Sequence, residues 1–112
     1  MTIIYKAIAV DLALLKSMPP HLAITAYGQV SSGGWTAGAL SPVEYVMPPV
    51  DGIQDFEFVA EPPTGVTIQV VLPITAHYVM QHIPSWLKGV RIHSKTNTVE
   101  AKLIDAAEHA VA

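Results

Sequence analysis

The stretch His21-Leu22-Ala23-Ile24-Thr25-Ala26-Tyr27-Gly28-Gln29-Val30 decides how the rest of the chain is read. Leu22, Ile24, Ala26, Gly28 and Val30 fall on one side of an alternating pattern, and Ala23, Thr25, Tyr27 and Gln29 on the other. Successive side chains of a strand point to opposite faces, so this period of two predicts a half-buried strand. The pattern recurs in both directions. Over 66–72, Val66, Ile68, Val70 and Leu72 oppose Thr67 and Gln69. Val90 and Ile92 oppose Arg91, His93 and Lys95, while Val99, Ala101 and Leu103 oppose Glu100 and Lys102. Phe56 and Phe58 oppose Asp55 and Glu57. One face on a core and one in water is the mark of antiparallel sheets.

Punctuation supports the same reading. Pro-Pro pairs stand at Pro19-Pro20, Pro48-Pro49 and Pro62-Pro63, where no long helix can cross. Residues 3–15 are also read as a strand, with Ile4, Ile8, Val10, Leu12 and Leu14 inward, because Ile3, Ile4, Tyr5, Ile8 and Val10 are β-formers. Residues 74–81 alternate too, with Pro73 either bulging a long strand or separating two. The expected fold is all-β: a single antiparallel β-sandwich of immunoglobulin-like architecture with about seven strands, a small β-barrel being the alternative. Residues 1–104 form the sandwich domain, and 105–112 a short C-terminal helix or frayed tail.

Composition bounds the function. The chain has 112 residues, 51% of them hydrophobic and 13% charged, with a net charge of −3. It is long enough for one domain and too short for two ordinary ones. Scaling with mass gives roughly 6,000 Å² of surface when folded against roughly 17,000 Å² unfolded, so one core is possible without staples. Cysteine is absent, which excludes disulfides, thiolate metal sites and Cys nucleophiles. A pI near 5.9 argues against a nucleic-acid partner, which would call for a basic footprint.

Mean hydropathy is +0.40, high for a soluble monomer. The apolar run over 7–15 is broken by Asp11 and is far short of the ~20 residues a membrane span needs. Lys6 stands alone before that run and no Ala-x-Ala pattern follows it, so no clear signal peptide is read and a cytoplasmic location is expected. The remaining explanation for the apolar excess is a covered surface, most simply a homo-oligomer or else a protein partner.

Each candidate for chemistry has a plainer reading beside it. Gly33, Gly34 and Trp35 sit in a Gly-rich stretch that can present Trp35 as an anchor to a partner, alone or together with the Thr64-Gly65 turn in an inhibitor-like manner. The plainer reading is a connection whose Trp35 folds back onto the core. It is not a phosphate loop, since no Lys-Ser or Lys-Thr follows. His77 and His93 lie on polar strand faces, where adjacent strands can bring them together as a ligand, metal or enzyme site. No His-x-His pair or His-Glu-x-x-His motif exists, and neither a metal nor a cofactor is expected. Asp55 and Glu57 share a strand face and can divide acid and base roles, or simply face water. No serine occupies a Gly-x-Ser-x-Gly elbow, so no catalytic motif is found. Trp86 is read as packing a turn onto the core.

Charge is segregated. Glu44, Asp51, Asp55, Glu57 and Glu61 form an acidic middle, and Lys88, Arg91, Lys95 and Lys102 a basic end with Glu100 among them. These charges can pair across strands, orient copies of the chain, or leave Arg91, His93 and Lys95 as a small anion-binding face. The leading expectation is a non-enzymatic β-sandwich that self-associates or binds a protein.

Overall fold

The structure, a computed structural model, describes residues 1–110, and their side chains through residue 106. Nine strands are present among these residues: β1 (Thr2–Ile3), β2 (Lys6–Lys16), β3 (His21–Val30), β4 (Thr36–Pro42), β5 (Ile53–Glu61), β6 (Leu72–Met80), β7 (Gly89–His93), β8 (Thr98–Lys102) and β9 (Ala107–Ala110). They form two sheets packed face to face. In the first, β5 takes β4 along one edge and, along the other, β7 beside 53–57 and β1 beside 59–60, with β8 outside β7. The second runs β6-β3-β2-β9. No barrel closes. Most pairings are antiparallel, but β5–β7 and β2–β9 are parallel. No helix among the described residues is long and apolar enough to cross a membrane.

The alternating faces meet between the sheets. Leu22, Ile24 and Ala26 of β3 and Ala76 of β6 face Phe56, Phe58 and Ala60 of β5 and Val90 and Ile92 of β7, all of them buried. Phe56 meets the Tyr78 ring edge-on across the gap at 5.1 Å. Gly28 is a fitting residue here because a Cβ at that position would lie 2.4 Å from Ile4 Cδ1 and 2.8 Å from the Lys6 carbonyl. At the far side of the sandwich, β4 bulges between Thr36 and Ala39 and brings Gly38 against β6, where a Cβ would stand 2.7 Å from the Thr75 carbonyl.

The chain changes sheets at Ile4 and Tyr5. Ile4 is fully buried and donates its N–H to the Phe58 carbonyl at 3.0 Å. The turn between β7 and β8 closes over this crossing. Lys95 N–H donates to the Ile4 carbonyl at 2.8 Å, and Thr96 donates to the Tyr5 carbonyl through its N–H at 3.2 Å and its hydroxyl at 2.7 Å.

Two local readings of the sequence are corrected. Ile8 points outward, because β2 carries a bulge between Ala7 and Ala9 that inserts one residue and shifts the phase. Ala7 is buried instead, while Leu12 is buried as the alternation expects. Residues 66–71 are not a strand. β3 ends at Val30, which pairs with Leu72, so the chain upstream of Leu72 has no neighbour to form a ladder with. The C-terminal segment expected as helix or frayed tail continues past residue 110, outside the described residues. Its described part begins in a short 3-10 turn, Leu103–Asp105, and continues as β9 along Ala13–Lys16 of β2.

Candidate functional site

The densest polar cluster lies on the outer face of the first sheet and is centred on Asp55. Alternation turns Asp55 of β5 and Arg91 and His93 of β7 outward, and parallel pairing sets Asp55 beside Arg91. His93 Nε2 lies 2.7 Å from Asp55 Oδ1, and Arg91 Nη1 lies 3.1 Å from the same oxygen. Tyr45, from the loop after β4, donates its hydroxyl to Asp55 Oδ2 and accepts the Asp55 N–H at 2.9 Å. Arg91 also donates from Nε to Glu100 at 2.9 Å and from Nη2 to Asp51 at 3.1 Å. Lys102 adds a looser contact with Glu100 at 3.6 Å.

The electrostatics follow from this crowding. Burial acts to raise the Asp55 carboxyl, but hydrogen bonds from Tyr45, His93 and Arg91 outweigh it and hold the group below its ordinary value. The Ile53 N–H, followed by Arg91, lowers Asp51, and Arg91 lowers Glu100. Burial and then the bond to Asp55 raise Tyr45. Glu100 and Asp51, the foremost causes, raise Arg91.

Three carboxylates thus occupy Arg91, and two of them, Asp51 and Asp55, come from the acidic middle of the chain. The cluster also fastens a loop. Gln54 donates to the Val43 carbonyl at 2.8 Å, Asp51 accepts the Ile53 N–H at 3.0 Å, and Gly52 donates to Pro49 at 3.1 Å. Tyr45 stands edge-on to Trp86 at 6.3 Å. Between these fixed stems, Val46, Met47 and Val50 are exposed.

The other expected site residues lie elsewhere. His77 is on β6, in the opposite sheet from His93, and contacts Thr25 at 3.2 Å. The two histidines therefore do not converge, and no group of three or more potential metal ligands exists among the described residues. Trp35 is half-buried against the core, and its indole N–H donates to Ser32 Oγ at 3.0 Å. Trp86 packs similarly. Gly33 and Gly34 lie beneath the 62–71 loop: Gly33 N–H donates to the Ile68 carbonyl at 3.1 Å, and a Cβ on Gly34 would meet Pro63 at 2.7 Å.

That loop carries an apolar alternation without being a strand. Its bond from Gly33 is its one main-chain hydrogen bond upstream of β6 among the described residues. Val66 and Ile68 stand in solvent, with Val70, Val71 and Leu72 partly so. Comparison with known protein families, with curated proteins and with solved structures finds no match to this chain.

Proposed function

We propose that this protein is a non-enzymatic binding and assembly module, an immunoglobulin-like sandwich that associates with a second copy of itself or with a protein partner. The observation that carries the reading is the exposed 66–71 segment, rich in β-forming apolar residues and held by one main-chain hydrogen bond among the described residues. Large contiguous exposed apolar surface marks interaction sites. The chain's apolar excess supports the same reading, since the core leaves Val66, Ile68, Val46, Met47 and Val50 unused. A binding rather than catalytic role agrees with the Asp55 cluster, whose polar groups are spent on one another and on fixing the 43–52 loop. Light scattering on the purified chain from micromolar to millimolar concentration tests the self-association. The expected result is a mass above 12.0 kDa that rises with concentration. A monomer throughout would leave the exposed apolar surface unexplained by self-association.

A further inference from the structure

We propose that residues 66–70 pair antiparallel with the same segment of a second copy, about a two-fold axis at Ile68. The inference rests on the assembly reading above and names its contact. The segment is bounded by Pro63 and Pro73, neither of which can donate to a ladder, and Ile68 stands midway between them. Between those prolines there is no charged residue. Exposed edges are ordinarily blunted by charge, and two-fold pairing of a charged strand would bring like charges close to the axis. This segment has neither defence nor penalty. It also runs directly into β6, the edge strand of its sheet, so a partner strand here continues an existing sheet edge.

The one main-chain bond fixes which edge is free. The Ile68 carbonyl is occupied by Gly33. In an extended chain the N–H and C=O of one residue share an edge and those of its neighbours point the other way. The groups of Thr67 and Gln69 therefore point away from Gly33. Pairing about Ile68 places Thr67 against Gln69 of the partner subunit, as a hydrogen-bonded pair, and Gln69 against Thr67 of the partner subunit. Ile68 then faces the partner's Ile68 as a non-hydrogen-bonded pair, with Cα atoms roughly 4.5 Å apart. On the same face Val66 meets Val70 of the partner subunit, so the apolar residues left in solvent cover one another.

The absence of cysteine makes the geometry directly testable. A Cα separation of roughly 4.5 Å lies within disulfide range, so Ile68→Cys should oxidise to a covalent dimer in near-complete yield. Val50→Cys, in the loop between β4 and β5, should give little. Gln69→Pro, which removes the N–H at both symmetric positions, and Ile68→Lys, which sets two ammonium groups at the axis, should each weaken dimerisation at least tenfold by light scattering. Both positions are exposed, so an unchanged melting temperature of the monomer confirms folding. A dimer that persists in both variants, with no Ile68→Cys cross-link, overturns the strand pairing and leaves the assembly reading standing. A wild-type chain that is monomeric at millimolar concentration overturns the strand pairing and self-association together.

Discussion

Asn97 grips Ala7 by both of its main-chain groups. Its Oδ1 accepts the Ala7 N–H at 2.8 Å, and its Nδ2 donates to the Ala7 carbonyl at 2.8 Å. One side chain thus does what a neighbouring strand would do, and it does so on the edge of β2 where β9 does not reach. Ser94 holds the amide in place through its hydroxyl, which donates to the same Asn97 oxygen.

Replacing Asn97 with Ala leaves both Ala7 groups without partners in a half-buried place. Net hydrogen bonds contribute roughly 1 kcal/mol each, and an abandoned buried group costs roughly 1–3 kcal/mol. Asn97→Ala should destabilise the fold by about 2–3 kcal/mol, read as a lower midpoint in urea with an unchanged slope. A change under about 0.5 kcal/mol would show that water replaces the amide without loss.

Acid should weaken the fold through the Asp55 cluster. Asp55, Asp51 and Glu100 all hold their carboxyls below the ordinary values of 3.8, 3.8 and 4.5. A carboxyl that takes up its proton less readily when folded adds stability above its unfolded value, and that stability is lost as pH falls through the folded value. Urea midpoints should therefore hold steady from about pH 7 to about pH 5 and decline below it. Asp55→Asn should lower the midpoint at neutral pH and flatten the acid decline. An equally steep decline in the variant would move the acid sensitivity to other carboxyls.

Gly28→Ala should be costly although it adds one methyl group. That methyl would stand 2.4 Å from Ile4 Cδ1, 2.8 Å from the Lys6 carbonyl and 3.1 Å from Phe58 Cε2. Ile4 and Phe58 are fully buried and have nowhere to go. Overpacking of this kind costs about 1–3 kcal/mol, which thermal or chemical denaturation would detect. Neutral behaviour would mean that the crossing at Ile4 yields more than its packing implies.

Trp35→Phe separates a structural tryptophan from a partner anchor. The indole N–H on Ser32 and the contacts with the core predict a loss of about 1 kcal/mol in stability. Unchanged stability in the monomer, accompanied by weaker association, would assign Trp35 to a contact with a partner.

Most of the sandwich was legible because its strands obey a period of two where it matters. Residues 21–30, 56–58 and 90–92 bury the side chains that alternation selects. Ile8 defeated the rule, since a bulge shifts the phase without altering composition. The 66–72 segment defeated it differently: alternation reports an apolar face, whereas a strand also needs a neighbour, and β3 stops at Val30. Segregated charge hinted that Arg91 meets the acidic middle, but nothing in the spacing placed Tyr45 on Asp55. No alternation selects Asn97, whose reach to Ala7 spans 90 positions. Such long-range polar contacts leave no local periodicity to find.

That separation also governs how the molecule is made. Asn97 belongs to the same turn that covers the crossing at Ile4, so closure there depends on contacts of high sequence separation, which form slowly. At ordinary synthesis rates, roughly 5–20 s pass between the emergence of the first partner and the second. Throughout that interval the β2 edge lacks its amide clamp. The nascent chain therefore carries an open, apolar strand edge until translation has passed Asn97, and chaperone dependence should be greatest in that window.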